Sequence, residues 1–314
     1  MINYMIITDF KNIKENYNLA NLTTFGVGGN AKYFLSSDNI KEIQSILKFC
    51  KDENLKFKII GGGSNLLVSD DGYDGLILKI DNKNISVSDN IFSVGAGVLL
   101  SDFVNFAIKN GYVGCDFVFG IPGTVGGAIY GNAGSFGGDI SNITKSVRFI
   151  NSNSEIKEIN NEECNFSYRE SIFKHGDYII YDAKFELQKG DTDEFRKMML
   201  ERIKLRNSKQ PWEYKSAGSF FKNVELNNDI RKNLENVLDL SKFTDNIPAG
   251  FLIESVGLKG FCIGDAQSSE KHANFLINRG NAKAKDIYDL AKYIKEKIKS
   301  EYDIDLIEEV QYIN

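Results

Sequence analysis

The sequence predicts an α+β fold, because short strands, amphipathic helices and two long glycine-rich loops follow one another without an internal repeat. Helices are indicated where apolar residues recur at a spacing of three and four, and strands where short apolar runs end in turn residues. A chain of 314 residues that is 42% hydrophobic is long enough for two or three domains, each with its own core.

The first quarter of the chain contains a helix followed by strands. Apolar residues keep helical spacing through residues 40–50, and Ser37 and Asp38 just before them are candidate N-caps. Three short apolar runs then predict strands, at residues 57–60, 66–68 and 76–80. The glycines at 61–63 separate the first two strands, whereas a Rossmann-type dinucleotide fold would need a helix directly after such a loop.

The next region begins with a hairpin signal at residues 85–94 and continues with a helix at residues 101–110. Ser101 is the candidate N-cap of this helix, and Gly111 occupies the C′ position that favours glycine. Two later strands are predicted, at residues 147–150 and 178–187.

Two further helices are predicted in the C-terminal part. Asp191 and Glu194 form a capping-box pair before a helix that Pro211 terminates, and we expect a domain boundary near this helix. The last helix is predicted over residues 286–300, with its apolar residues on one face.

Composition argues against several classes of function. The net charge of -5 gives no overall basic field, so we expect no nucleic-acid partner. With only two histidines in the chain, a His-rich metal centre is not expected, and we predict no metal. The four cysteines are far apart and are predicted to be buried thiols in a reducing compartment; they are Cys50, Cys115, Cys164 and Cys262.

The N-terminus favours a cytoplasmic protein. Its apolar run covers only residues 1–7, and Asp9 and Lys11 follow at once. This run is too short for a membrane span or a signal peptide. We therefore expect no membrane association.

The first glycine loop is the segment GGGSNLLV at residues 61–68. Its three glycines leave backbone N–H groups unobstructed by Cβ atoms, and such donors suit an anion such as a diphosphate. It is not a P-loop, because no Gly-Lys-Ser/Thr follows. A glycine-rich β-turn without a function explains this loop equally well.

The second glycine loop covers residues 120–138 and contains GIPGTVGG (120–127) and NAG (132–134). It has almost no helix or strand propensity, so we expect exposed backbone along its whole length. Such a surface suits a large flat ligand that lies against the main chain. Structural turns alone are the alternative.

Six segments carry a resemblance to a known family. They are GGGSNLLV (61–68), the loop 120–138, FSYRESIF (166–173), SAGSFFKN (216–223), AGFLIE (249–254) and GLKG (257–260). In this order they resemble the motifs of the UDP-N-acetylenolpyruvoylglucosamine reductase family, over about residues 22–310.

The resemblance implies a FAD-binding region of the vanillyl-alcohol-oxidase (PCMH) type, with one subdomain at residues 1–80 and a second at 81–198. It also implies a substrate-binding α+β domain at residues 199–314, whose C-terminal segment returns to the active site. The short interval between Arg169 and Ser219 resembles the subtype with the shorter substrate-domain insertion.

The implied reaction is the NADPH-dependent reduction of UDP-N-acetylenolpyruvoylglucosamine to UDP-N-acetylmuramate through bound FAD, in peptidoglycan precursor synthesis. Neither glycine loop contains His or Cys, so non-covalent FAD is expected. The choice between NADPH and NADH stays open, and a monomer or weak oligomer is expected. The implied FAD contacts all lie in the two glycine loops: Gly61, Gly62, Gly63, Ser64, Asn65, Gly120, Ile121, Pro122, Gly123, Thr124, Gly126, Gly127, Asn132, Ala133, Gly134 and Gly138.

Reduction of an enolpyruvyl ether needs a hydride, stabilisation of the resulting enolate and a proton. The resemblance implies that Ser219 donates the proton and that Arg169 and Glu309 stabilise the enolate. From the residues alone, Ser219 is better explained as an ordinary capping serine, and Arg169 as one partner of a surface ion pair.

The C-terminal motif, LIEEV at residues 306–310, departs from the family pattern at one position that affects the choice of catalytic residue. Ile307 stands where the family usually has a glutamate, which leaves Glu308 open as an alternative to Glu309. Alignment to the following Val310 favours Glu309. A second departure lies after the segment SAGSFFKN (216–223), where the family motif normally continues with proline and this chain has Val224.

Loop lysines, an asparagine and a histidine are candidates for binding the diphosphate and carboxylate of the substrate, because they offer hydrogen-bond donors. These candidates are Lys222, Asn223, Lys259, Lys271 and His272. Each is also explained as a solvated surface residue, or for His272 as a structural histidine.

Two other functions use the same glycine loops. One is a FAD oxidoreductase of the same fold that oxidises an alcohol or hydroxy acid with oxygen. The other is a catalytically inactive nucleotide-binding or scaffold protein.

Overall fold

A computed structural model gives the structure of residues 6–314. The strands are, in chain order, β1 (Lys14–Asn18), β2 (Asn30–Ser37), β3 (Phe57–Ile60), β4 (Leu66–Val68), β5 (Tyr73–Ile80), β6 (Ile85–Ser88), β7 (Ile91–Gly95), β8 (Tyr112–Val113), β9 (Gly134–Ser135), β10 (Gly138–Asp139), β11 (Thr144–Ile150), β12 (Ile156–Asn160), β13 (Ile179–Glu186), β14 (Gln188–Lys189), β15 (Lys215–Ser219), β16 (Val224–Glu225), β17 (Asn246–Ile247), β18 (Cys262–Ile263), β19 (Ala266–Ser268), β20 (Phe275–Asn278) and β21 (Gln311–Ile313). The α-helices are α1 (Ile40–Asp52), α2 (Leu100–Lys109), α3 (Val125–Tyr130), α4 (Thr192–Lys209), α5 (Asn228–Leu234), α6 (Ala249–Ser255) and α7 (Ala284–Tyr302). None of the helices within residues 6–314 has both the length and the apolar character needed to cross a lipid bilayer.

The chain divides into two compact units, each built from several segments. The first unit contains residues 6–17, 31–63 and 73–204, and the second contains Asn18–Asn30, Ser64–Gly72 and Leu205–Asn314. The chain passes from the first unit to the second within α4. The division into subdomains 1–80 and 81–198 and a domain at 199–314 stays a prediction.

The first unit contains two sheets and one continuous core. Strands β2, β5 and β3 run parallel in the sheet β1-β2-β5-β3, and the sheet β12-β11-β13-β7-β6 is antiparallel. Residues of both sheets and of α1 and α2 belong to a single hydrophobic cluster, exemplified by Leu76, Phe92, Phe185, Ile43 and Phe103, all fully buried. Mixed parallel and antiparallel strands with packed helices confirm the α+β prediction.

The predicted helices at 40–50 and 101–110 exist, but their N-caps differ from the prediction. The cap of α1 is Asn39, whose Oδ1 accepts from Lys41 N at 2.9 Å, rather than Ser37 or Asp38. Helix α2 starts one residue before Ser101, without a side-chain cap.

The N-terminus of α2 obtains a hydrogen bond from a distant segment instead. Leu100 N donates to Gly123 O at 3.1 Å, so the second glycine loop satisfies the backbone N–H of the first residue of the helix. Gly111 follows this helix with a φ of +82°, as its predicted C′ position requires.

The second unit is built around the antiparallel sheet β15-β20-β19-β18 and helix α7. Strand β4 pairs in parallel with β21, near the end of the chain. Helix α7 extends two residues beyond each end of the predicted range 286–300. Asp70 explains the earlier start, because its carboxylate accepts from Ala284 N and Lys285 N at 2.9 and 3.0 Å.

The four cysteines are free thiols, and three of them are buried as predicted. Cys50, Cys115 and Cys164 are buried, whereas Cys262 is half-buried. Burial raises the pKa of Cys50 to about 11, and that of Cys115 and Cys164 to about 12. These three thiols are therefore protonated and unreactive at neutral pH.

Candidate active site

The two glycine loops lie against each other within the first unit. A Cβ atom on Gly61 would lie 2.7 Å from Thr124 Oγ1, and one on Gly62 would lie 3.0 Å from Gly123 Cα. Any side chain at these positions would have to displace backbone or the buried Thr124 hydroxyl. We call Gly61, Gly62, Gly123 and Thr124 the glycine cradle.

The second glycine loop is not irregular throughout, and the expectation of exposed backbone along its whole length is wrong. Helix α3 lies inside it, and Thr124 caps this helix by accepting from Gly127 N at 3.4 Å. Val125, Ala128 and Ile129 form a buried face at a spacing of three and four. Burial of this face outweighs the low helix propensity of the glycines.

Several glycines of this loop are required by contacts within the protein. A Cβ on Gly126 would lie 2.9 Å from Ala96 Cβ, and one on Gly134 would lie 2.2 Å from Gly138 O. A Cβ on Gly138 would lie 2.8 Å from the ring of Phe117. For these three glycines, the role as FAD contacts stays a prediction beside a clear packing role.

The other predicted FAD contacts of the loop are accessible. Gly120, Ile121 and Ala133 are half-buried, and Pro122 and Gly127 are exposed. A ligand can therefore reach each of these five residues.

The glycine cradle fits the cofactor that the sequence predicts. Gly63 and Gly123 have φ values of +68° and +136°, which favour glycine. Backbone turned in this way presents N–H groups to an anion such as the FAD diphosphate. Because Gly61 and Gly62 have no side chains, the two loops can approach each other closely, as they must if both are to offer main-chain atoms to one large flat ligand.

Asn132 connects the second glycine loop to the segment that carries Arg169. Its side chain is buried, with Nδ2 donating to Ser167 O at 2.9 Å and Oδ1 accepting from Ser141 N at 3.2 Å. Both ends of the amide are therefore used in the protein, and its predicted contact with FAD stays a prediction.

Arg169 lies in a tight hairpin of the first unit. Ser167 and Glu170 exchange backbone hydrogen bonds of 3.2 and 3.1 Å, and Arg169 between them takes a φ of +57°. Its Nη2 donates to Gly134 O at 3.1 Å, and Lys174 Nζ donates to Arg169 O at 2.5 Å. A left-handed backbone costs a non-glycine residue roughly 1–2 kcal/mol, and such strain is concentrated at functional positions.

In the second unit, a β-bulge sets the direction of Ser219. Ser216 pairs with Ile277 and Ser219 with Phe275, so β15 advances three residues while β20 advances two. Gly218 absorbs the extra residue with a φ of +78°, and a Cβ there would meet only open space. A bulge of this kind re-aims the side chain that follows it.

Glu309 lies beside the strand that carries Ser219. Glu309 N donates to Phe220 O at 2.8 Å, and Phe220 directly follows Ser219. The neighbouring Glu308 forms an ion pair with α7, where Lys295 Nζ lies 2.9 Å from its Oε1. Of the two glutamates left open by the sequence, Glu308 has a cationic partner on α7, and the choice of Glu309 stays a prediction.

Two predicted FAD contacts of the first loop, Ser64 and Asn65, belong to the second unit. Asn65 Nδ2 donates to Glu309 O at 2.9 Å, and Gln311 N donates to Asn65 O at 2.9 Å. The amide of Asn65 therefore has a protein partner, which the sequence did not predict.

Two of the predicted substrate-binding residues meet at the start of α6. Asn223 Oδ1 accepts from Ala249 N at 3.2 Å. A Cβ on Gly250 would lie 3.2 Å from Cε1 of His272, so the imidazole lies directly against this helix.

The imidazole of His272 is mostly enclosed. Its ring centroid lies 4.9 Å from that of Phe275, and its Nδ1 is buried without a hydrogen-bond partner among residues 6–314. Burial lowers the pKa of His272 below the ordinary value for histidine, so the ring is neutral at pH 7.

The predicted lysines have different surroundings. Lys259 Nζ lies 2.9 Å from Glu254 Oε1, and Lys271 Nζ lies 2.9 Å from Glu213 Oε1. Lys222 is half-buried on the segment after Ser219. Exposed ion pairs are weak, so a phosphate can compete for Lys259 and Lys271, but their roles stay predictions.

The sequence analysis missed Asn274. This residue is 2% exposed, and its side chain both accepts from Phe221 N at 2.9 Å and donates to Phe221 O at 2.8 Å. Its own carbonyl accepts from Phe220 N at 2.8 Å, so it fixes the backbone that follows Ser219. An asparagine inside the apolar run ANFLIN (273–278) was an available signal, because a buried amide needs partners.

Comparisons with known proteins assign a family to each of the two regions that carry the predicted site residues. The family described as "FAD binding domain" matches residues 31–160, which include the glycine cradle. The family described as "UDP-N-acetylenolpyruvoylglucosamine reductase, C-terminal domain" matches residues 210–313, which include Ser219 and Glu309. The protein is therefore an FAD-dependent oxidoreductase with a PCMH-type cofactor domain.

Individual relatives identify the family. UDP-N-acetylenolpyruvoylglucosamine reductases of Clostridium novyi and Clostridium kluyveri are 38% and 39% identical to the chain, over 98% of it and 94% and 95% of their own lengths. The crystal structure of UDP-N-acetylenolpyruvylglucosamine reductase from Thermus caldophilus has a TM-score of 0.76 and 29% identity, over 96% of this chain and 98% of that one. The chain belongs to the UDP-N-acetylenolpyruvoylglucosamine reductase family, which confirms the resemblance in its motifs.

Proposed function

We propose that the protein reduces UDP-N-acetylenolpyruvoylglucosamine to UDP-N-acetylmuramate, with NADPH as the electron donor and bound FAD as the carrier. The observation that supports this proposal is the backbone hydrogen bond between Glu309 N and Phe220 O, which joins the segments that carry Ser219 and Glu309 within one unit. Relatives at 38% and 39% identity bear the name of this reductase.

FAD and the glycine loops serve the electron transfer in this proposal. When bound and reduced by NADPH, FAD would supply the hydride that the double bond of the substrate accepts. The glycine cradle binds the cofactor through its main chain, without covalent attachment.

Ser219 donates a proton to the substrate carbon that does not receive the hydride. A serine hydroxyl is a weak acid, but the carbon of an enolate is a strong base, so the transfer is favourable. The bulge at Gly218 and the fixed backbone of Phe220 hold the hydroxyl in one direction, as a positioned proton donor requires.

Arg169 and Glu309 act on the charge of the intermediate. The guanidinium of Arg169 has parallel donors that suit the substrate carboxylate as it becomes part of an enolate. Glu309 polarises the enolate in this proposal. Donors that are already oriented before the reaction need no reorganisation when the charge develops.

Asn223, Lys222, Lys259 and His272 bind the nucleotide-sugar part of the substrate. The Nδ2 of Asn223 and the lysine ammonium groups are donors for phosphate oxygens. His272 contributes as a neutral ring, because burial lowers its pKa.

The proposal places the protein in the cytoplasm, where it supplies a peptidoglycan precursor. A net charge of -5 fits a partner that is a small molecule bound by local donors rather than a nucleic acid.

Turnover with a defined substrate tests the proposed function. Purified protein is mixed with NADPH and UDP-N-acetylenolpyruvoylglucosamine, and the product is identified by mass spectrometry. We expect a yellow protein that releases all of its flavin on acid precipitation and forms UDP-N-acetylmuramate. Oxygen-consuming oxidation of an alcohol or hydroxy acid, without reduction of the enolpyruvyl ether, would contradict the proposal and favour an oxidase.

A further inference from the structure

Asn65 holds the backbone of Glu309 from a segment far away in the chain. The bond from Asn65 Nδ2 to Glu309 O measures 2.9 Å and joins residues that are 244 positions apart. The carbonyl of Asn65 accepts from Gln311 N at 2.9 Å, so Asn65 binds both of the peptide groups that flank Val310. All of these residues belong to the second unit.

The two peptide groups that flank the Cα atom of Glu309 are both fixed. On the N-terminal side, Glu309 N donates to Phe220 O at 2.8 Å. On the C-terminal side, Glu309 O accepts from Asn65 Nδ2 and, at 3.2 Å, from Gln311 Nε2. Fixing both groups restricts φ and ψ of Glu309, and therefore the direction of its Cα–Cβ bond.

A side-chain donor is needed here because the strand ladder ends. Strands β21 and β4 pair from Gln311 with Leu66 to Ile313 with Val68, and Leu66 is preceded by the glycine loop. Strand β4 therefore begins too late to donate a backbone hydrogen bond to Glu309 O. The side-chain amide of Asn65, the residue before Leu66, donates to it instead.

We propose that Asn65 is a positioning residue for the carboxylate of Glu309 during protonation of the substrate intermediate. The inference rests on the proposed function, because it needs a reaction in which Glu309 takes part. Asn65 acts through Glu309 in this role, in addition to any contact of its loop with FAD. A small displacement of a positioned group costs up to about 10²-fold in rate.

The experiment measures the two half-reactions separately by stopped-flow absorbance of the flavin. Asn65→Ala removes the amide, and Asn65→Asp keeps its shape but cannot donate a hydrogen bond. Both variants are assayed at saturating FAD, because Asn65 lies in a loop that is predicted to contact FAD, and we expect reduction by NADPH to slow far less than the substrate step. Reoxidation by the enolpyruvyl substrate is expected to slow by about 10²-fold.

A double-mutant cycle distinguishes positioning of Glu309 from a purely structural role of Asn65, because only positioning makes the effect of Asn65→Ala depend on the Glu309 carboxylate. Once Glu309→Ala has removed the carboxylate, Asn65 has nothing left to position. We therefore expect Asn65→Ala to slow the substrate step no further in the Glu309→Ala background.

Gln267→Ala is the matched control. It removes a side-chain amide that donates to Gly260 O at 3.0 Å in the same unit, and so it deletes the same kind of bond. We expect wild-type rates for both half-reactions in this variant, with a similar or smaller loss of thermal stability than in Asn65→Ala.

Several results would overturn the inference while the proposed function stands. They are a normal substrate step in Asn65→Asp, equal slowing of both half-reactions with loss of FAD, and rate losses of Asn65→Ala and Glu309→Ala that multiply in the double variant. Wild-type protein that does not reduce the enolpyruvyl substrate overturns the proposed function and this inference together.

Discussion

The glycine cradle of the first unit and the bulged strand of the second unit provide reactive surfaces in different ways. In the cradle, the absence of side chains at Gly61 and Gly62 is what lets the main chains of the two loops lie against each other. On the bulged strand, Ser219 contributes a hydroxyl, and buried amides such as that of Asn274 hold the backbone around it. A site made of main chain is damaged by adding atoms, whereas one made of side chains is damaged by removing them.

Substitution at Ser219 is expected to have the largest effect and to separate the two regions. Ser219→Ala removes the proposed proton donor, which typically costs about 10²–10⁴-fold. Reoxidation of the flavin by the enolpyruvyl substrate should slow by this factor, while reduction by NADPH stays at the wild-type rate. Ser216→Ala, the same change on the same strand, is the control. Equal slowing of both steps would mean that Ser219 maintains the structure and is not an acid.

Arg169→Lys tests whether a side chain of the first unit, like Ser219 of the second, contributes functional groups whose removal lowers the rate. Lysine keeps the charge but lacks the planar pair of donors, so we expect the substrate step to fall by about 10²–10³-fold. Arg148→Lys is the control, because Arg148 lies on the surface of the same unit in an ion pair with Asp182. Near-wild-type turnover in Arg169→Lys would indicate a surface role.

Gly123→Val tests the cradle by adding atoms. A φ of +136° strains any residue with a Cβ, and strain of this kind costs about 1–3 kcal/mol. If relaxation of the loop removes the FAD contacts, the dissociation constant for FAD should rise by about 10–100-fold, measured by flavin titration.

The control for this variant is Gly111→Val, which strains a φ of +82° at the end of α2, outside the cradle. It should lower the melting temperature without changing FAD affinity. Full flavin occupancy in Gly123→Val, with only a lower melting temperature, would show that the loop is structural.

His272 is expected to give the smallest effect, on the dependence of stability on pH. Its folded pKa is lowered by burial, so stability is complete above the unfolded pKa of about 6.5. As the pH falls below that value, the unfolded chain takes up a proton that the folded state resists, and stability decreases until the lowered folded pKa is reached.

The measurement compares urea unfolding at mildly acidic and neutral pH. His272→Gln should lose part of the pH dependence that the wild type has, whereas His175→Gln, which changes the other, exposed histidine, should keep it. An unchanged pH dependence in His272→Gln would mean that the ring is protonated equally well in the folded state.

The two regions also differ in how much of them the sequence predicts. The helix at 40–50 and the hairpin at 85–94 follow from local periodicity, and the structure confirms them. Helix α3 was missed, because its stability comes from a buried face and not from the propensity of its glycines. Asp70, which caps α7, could not be assigned from local sequence, because its partners are 214 and 215 residues away.

The same reason limits prediction of the candidate site. Ser219 and Glu309 were named through motifs, since each is surrounded by residues that resemble the family. The role of Asn65 depends on a hydrogen bond to a carbonyl that no sequence pattern marks. Local patterns predict which residues carry reactive groups, but the residues that orient them become visible only when distant segments pair.

The distribution of the thiols makes this protein convenient to label. Since Cys50, Cys115 and Cys164 are buried, a maleimide dye should attach to Cys262 alone, without prior removal of the other cysteines. A fluorophore at Cys262 would report on the second unit, while the colour of the flavin reports on the first. The native chain thus carries two independent optical signals for following substrate and cofactor in the same sample.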